Sequence, residues 1–229
     1  MRKLYYKNKF LIRYSKPLEN KRLFTAIKLN IITLKDYNLW PEKVIALDAF
    51  CQTGLQWSRV FYKETDYLEM WDTNSDAIRY AKKEFPKAVI NCGDSIDAIV
   101  NNKLGRRDFN FLIIDTPLPY MYSDGSFEHF VFFEKLFQNI NNKAIIIMNV
   151  VCNIETIISK HTHSKDFIEK WIVARQDFYS TDKGSVVLPQ TMINVYKRKA
   201  EQLGCDVNYV AYSARNEYVG MLTLCVCKK

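Results

Sequence analysis

At 229 residues, 48% of them hydrophobic, the chain can bury one full core, and a single α/β domain with an N-terminal appendage is the simplest fit. Its 33 Lys and Arg against 25 Asp and Glu give a net charge of +8, which favours polyanionic partners and says nothing about fold. Six scattered cysteines without a CxxC argue against a disulfide scaffold. With no apolar run of membrane-spanning length and no apolar segment after the basic start, the sequence predicts a soluble, cytoplasmic protein with no membrane partner.

The front of the chain is basic. Arg2, Lys3, Lys7, Lys9, Arg13, Lys16, Lys21, Arg22 and Lys28 stand against Glu19 alone, and Tyr5, Tyr6, Phe10 and Tyr14 lie among them. Two readings stay open: an arm that meets nucleic acid phosphates while its aromatic rings stack on bases, or a solvated terminus. Leu23, Ala26, Ile27, Ile31 and Leu34 recur at helical spacing, and Trp40-Pro41 closes that helix. The predicted division is a basic arm and helix over 1–40 and one α/β domain over 41–229.

From Val44 an apolar run ends in Asp48, and a turn containing Gly54 leads into a helix near 54–62, the pattern of a buried parallel strand feeding a helix. A strand over 67–71 ends at Asp72. A helix from Ser75 to Phe85 follows, with Ser75 as its candidate N-cap and Pro86 as its stop. Next come a short strand over 88–91, a helix near 95–103 ended by Gly105, and a strand over 109–114. A Pro-containing loop, a helix over 127–140 and an apolar strand over 144–151 complete the alternation. Helices over 164–179 and 190–203 precede two strands, 206–213 and 218–227, which form an antiparallel hairpin. The predicted fold class is α/β: a Rossmann-like three-layer sandwich on a mostly parallel seven-stranded sheet with a C-terminal antiparallel hairpin.

In open α/β sheets ligands sit at the carboxyl ends of the strands. Asp72 follows Gly54 by 18 positions, near the spacing at which an acid after a Gly loop meets a ribose hydroxyl. A nucleoside-containing cofactor is therefore expected.

The sequence resembles the class I S-adenosylmethionine-dependent methyltransferases at four points. Asp48-Ala49-Phe50-Cys51-Gln52-Thr53-Gly54 looks like the family's first motif, which holds the methionine part of the cofactor. Asp72, within Trp71-Asp72-Thr73-Asn74, is similar to the acid that binds the ribose. Gly93-Asp94-Ser95 resembles the turn that contacts the adenine amino group. Asp115-Thr116-Pro117-Leu118-Pro119-Tyr120 resembles the motif where the methyl acceptor meets the sulfonium. Two positions depart from the pattern. Gln52 stands where the family usually has Gly. In the fourth motif Thr116 replaces the first proline and Leu118 separates the two that remain, so the loop also looks somewhat like the Asp-Pro-aromatic-Gly-Ser-Pro loop of tRNA guanine-N2 methyltransferases.

The resemblance implies S-adenosylmethionine as cofactor, bound by Asp48, Phe50, Cys51, Gln52, Gly54, Asp72, Thr73, Asp94 and Ser95. It implies that Asp115, Thr116, Pro117 and Tyr120 carry the chemistry. Asp115 and the Thr116 carbonyl would accept hydrogen bonds from an amine, and Tyr120 or Tyr122 would stack on a base. Each acid also has a plainer reading: Asp48 as a loop cap, Asp72 and Asp94 as helix N-caps, Asp115 as a turn former. Cys51 and Cys92 are read as packing residues, His129 as structural, and His161 and His163 as no metal site. The expected function is N-methylation of a nucleic acid base. The alternatives are a small-molecule or protein acceptor and an inactive binding subunit.

Overall fold

The computed structural model describes the backbone of residues 2–6, 10–14, 20–116, 128–160 and 163–229, with side chains from residue 28 onward except residue 160. Strands β1 (Arg2–Tyr6) and β2 (Phe10–Tyr14) form an antiparallel hairpin where the sequence suggested only an arm, and β2 runs beside β8 (Cys205–Ala214). Helix α1 (Asn20–Asp36) follows.

The main sheet contains β3 (Ile45–Asp48), β4 (Tyr67–Asp72), β5 (Val89–Cys92), β6 (Phe109–Ile114), β7 (Ile140–Val151), β8 and β9 (Val219–Lys228). Their spatial order is β5-β4-β3-β6-β7-β9-β8. All neighbours are parallel except the pairs made by β9 with β7 and β8. This is the predicted mostly parallel seven-stranded sheet with its antiparallel hairpin. Strand order reverses beside β3, so the crevice above β3 is the switch point where such sheets take ligands.

Alternate residues of the central strands feed two cores. Leu47, Leu112, Ile114, Ile146 and Met148 pack into one layer, and Ala46, Phe111, Ile113, Ile145 and Ile147 pack into the other. Both faces are covered, which is why all six residues of β6 are buried and five of them are apolar.

Several helices differ from the sequence reading. Only α2 (Ser58–Phe61) and a 3-10 turn (Tyr62–Glu64) form in the expected first helix, because the left-handed residues Gln52 and Gly54 keep the preceding loop non-helical. Helix α3 (Ser75–Glu84) is capped by Asn74, not Ser75: the Asn74 side chain accepts from the amides of Asp76 and Ala77. Helix α4 spans Ser95–Val100. The predicted helix over 127–140 shrinks to α5 (Phe133–Leu136), since Ile140 already pairs with Phe109 in the sheet. Its aromatic residues Phe132, Phe133 and Phe137 are core, as read from the sequence. The short helix α6 (Ile154–Lys160) escaped the sequence reading, whereas α7 (Lys165–Tyr179) and α8 (Pro189–Gln202) match it. Among the described residues no helix is long and apolar enough to cross a membrane.

Candidate active site

A cleft of about 510 Å³ opens at the carboxyl ends of β3 to β6. Its lining includes Phe50, Gln52, Thr53, Asp72, Thr73, Asn74, Gly93, Asp94, Ser95 and Asp115. The two strand tips named in the sequence thus border one crevice.

The loop after β3 is tied to both neighbouring strands. The Ala49 amide donates to the Ile113 carbonyl at 3.0 Å and the Cys51 amide to the Trp71 carbonyl at 2.9 Å. Gln52 sits at φ 47° and Gly54 at φ 72°. A Cβ on Gly54 would meet Phe85 Cε2 at 2.5 Å and Met70 Cε at 2.7 Å, so glycine is required there for both space and backbone. Gly54 shapes the loop without lining the cleft. Cys51 is buried in the core beneath, in keeping with a packing role.

Asp72 joins two turns. Its Oδ2 accepts from the Gln52 amide and its Oδ1 from the Asn74 amide, both at 2.8 Å. Each oxygen has a second lone pair, so the half-buried carboxylate can still accept from a ligand hydroxyl. Its expected capping rival is excluded, since Asn74 caps α3. Asp94 does cap its helix: its side chain accepts from the Ile96 amide at 2.8 Å, and it lies exposed at the cleft wall. Ser95 is buried behind it.

Asp48 is fully buried and does not line the cleft. Its Oδ2 accepts from the Ser58 hydroxyl at 2.6 Å, while Oδ1 accepts no hydrogen bond from the described residues. The loop-cap reading therefore leaves half of this carboxylate unexplained. Burial pushes its pKa up to about 7. That value already contains the opposing pull of the Ser58 hydroxyl and the Phe50 amide and the added push of the Asp115 and Asp72 carboxylates.

The other end of the cleft holds residues that the sequence reading missed. Asp115 accepts from Trp57 Nε1 at 2.8 Å and from the Arg215 guanidinium at 2.9 and 3.1 Å. The two side chains are only 13% and 25% exposed. Thr116 is buried off the cleft. Its amide and hydroxyl donate to Asn149 Oδ1, and its carbonyl accepts from Asn149 Nδ2 at 2.7 Å. The oxygens expected to greet an amine are thus already hydrogen-bonded within the protein. Pro117, Tyr120 and Tyr122 lie outside the described residues.

Beyond that segment stands a buried polar cluster. Glu128, at φ 52°, pairs with Arg175 of α7 and accepts from Trp171 Nε1 at 3.1 Å. Arg175 also donates to the carbonyls of Gly184 (2.6 Å) and Val151 (2.7 Å). His129 is fully buried and hydrogen-bonded to the Tyr196 hydroxyl, with its pKa held down to about 3 by burial and by Arg175. It is structural, as expected.

Comparison with known proteins places this architecture. Trm1 from Pyrococcus horikoshii, solved with S-adenosyl-L-methionine, matches with TM-score 0.60 and 14% identity over 100% of this chain and 62% of its own. The plantazolicin methyltransferase BpumL, solved with a desmethyl analogue and SAH, gives 0.56 and 14% over 92% and 86%. The N-methyltransferase NodS from Bradyrhizobium japonicum gives 0.56 and 8% over 93% and 100%. The fold is that of the class I methyltransferases. No family model matches the chain. Protein TIC 214 of Staurastrum punctulatum is 29% identical over 192 residues, covering 83% of this chain, and the match spans a tenth of that protein's length.

Proposed function

We propose that the protein is an S-adenosylmethionine-dependent methyltransferase acting on a nitrogen of a nucleic acid base. The observation that carries the reading is the single cleft at the switch point, bordered by Asp72, Asn74 and Asp94 on one side and by Asp115 on the other. The residues fit the cofactor. Asp72 keeps lone pairs for the ribose hydroxyls, Asp94 offers the cleft a carboxylate that can accept from an adenine amino group, and Phe50 supplies an apolar wall. The acidic lining suits a cation. When bound, the cofactor supplies an electrophilic methyl on its sulfonium; the protein's part is to hold the acceptor in line with it.

Asp115 acts here as a fixed wall. Trp57 and Arg215 set its orientation, and the oxygen edges they leave free are what an acceptor N–H meets. The basic residues of 1–28, with tyrosines among them, suit a polynucleotide backbone. Calorimetry with S-adenosylmethionine tests the cofactor. Asp72→Ala should weaken binding tenfold or more, since hydrogen bonds to a charged group are worth roughly 1.5–3 kcal/mol. Unchanged affinity would remove Asp72 from the site. RNA and DNA mobility shifts that weaken steeply with salt test the acceptor class, and no binding at low salt would point to a small-molecule or protein acceptor.

The occupied oxygens of Asp115 and Thr116 favour a second reading, a methyltransferase-like binding subunit. Transfer of a labelled methyl group to nucleic acid would eliminate it.

A further inference from the structure

Asp48 is the one buried titratable group at this site with no assigned task. Its register locates it. Asp48 is opposite Met70 on β4 and Ile113 on β6, so two residues further along Asp72 and Asp115 come level with Phe50. Those three line the cleft. Asp48 therefore lies one pleat below the cleft floor, about 7 Å at ordinary strand rise. It is fully buried, with Oδ2 accepting from the Ser58 hydroxyl and Oδ1 unpaired among the described residues. The groups facing it are the Phe50 amide, the Cys51 thiol and the carboxylates of Asp72 and Asp115. The nearby guanidinium, Arg215, is committed to Asp115. A buried carboxylate without a counter-cation is costly, and a cation in the cleft above would relieve it.

We propose that Asp48 is the specificity-determining residue by which the site tells the sulfonium cofactor from its spent thioether. Ionised, it favours the cation across the cleft floor. Loss of the methyl group removes the positive charge, and with it that preference. The inference rests on the cofactor reading above and goes beyond it, because Asp48 acts through charge and touches no ligand atom.

The test is calorimetry with S-adenosylmethionine and S-adenosylhomocysteine between pH 5.5 and 8.5. Below pH 7 Asp48 holds its proton and discriminates little. As pH rises through about 7 the preference for the sulfonium should grow by roughly tenfold, the equivalent of a one-unit change in the pKa of Asp48. The sulfonium lowers the pKa of its own α-amino group relative to that of the thioether, a ligand effect that is the same for the wild type and for Asp48→Asn and cancels between them. Binding of the sulfonium at pH 6.5 should release more protons than binding of the thioether. Asp48→Asn should lose the rise in the ratio through pH 7. Ser58→Ala removes a hydrogen bond that favours the anion, so its midpoint should move to higher pH; this variant decides the matter if Asp48→Asn does not fold. A flat ratio with both ligands bound, or an unaltered rise in Asp48→Asn, overturns the proposal and leaves the cofactor reading intact. Binding of neither ligand removes both.

Discussion

The two ends of the cleft are built differently. At the Asp72 end the ties are local or run between neighbouring turns: Asp72 to Gln52 and Asn74, Asn74 to the first turn of α3, Asp94 to Ile96. At the Asp115 end they are long. Arg215 reaches Asp115 from 100 positions away and Asn149 reaches Thr116 from 33; at the end of β7, where Arg175 meets the Val151 carbonyl, Arg175 reaches Glu128 from 47. Backbone turns thus shape one end, and side chains from separate segments clamp the other. The first arrangement fixes a set of hydrogen-bond acceptors through the backbone. The second ties Asp115 to the β8–β9 turn through Arg215 and Thr116 to β7 through Asn149, so changes far away in sequence reach them.

The sharpest way to break this contrast is Arg175→Met. It strips the partner from a fully buried carboxylate and should cost about 3–5 kcal/mol of stability in a urea titration. Glu128→Gln in the same background should recover part of that loss, because the orphaned charge is gone. A cost under about 1 kcal/mol for Arg175→Met would mean that this long-range pair contributes little to the fold.

The same contrast explains what could be read in advance. The strand–helix alternation, the hairpin and the acids of the Asp72 end follow from patterns spanning a few residues, so periodicity and turn chemistry reveal them. Even there the sequence pointed to Ser75 as the cap, and only geometry shows its neighbour Asn74 in that role. Arg215 carried no local signal, because a lone arginine in a hairpin turn reads as solvated. Trp57 looked like one more apolar residue of an expected helix. Asp48 was identified as a strand-tip acid, but its depth below the floor depends on register with two other strands.

A double-mutant cycle of Arg215→Met and Asp115→Asn sharpens the contrast at an intermediate scale. The pair is mostly buried and doubly hydrogen-bonded, so a coupling of about 1–2 kcal/mol is expected, with weak dependence on salt. Coupling near zero would make the contact incidental and return Arg215 to the solvent.

The smallest effect expected is at Gln52, and it asks whether the Asp72 end works through backbone alone. The left-handed conformation costs a non-glycine residue about 1–2 kcal/mol, which Gln52→Gly relieves. The glycine also loosens the unfolded chain, by about 0.4–1 kcal/mol in the opposite sense. The two terms nearly cancel, so stability should change by no more than about 1 kcal/mol. The contact with Asp72 comes from the Gln52 amide, which glycine keeps. S-adenosylmethionine affinity should therefore stay within about threefold, a change below about 0.7 kcal/mol. A loss beyond tenfold would show that the Gln52 side chain itself grips the ligand. The cofactor end would then depend on a side-chain clamp as the Asp115 end does.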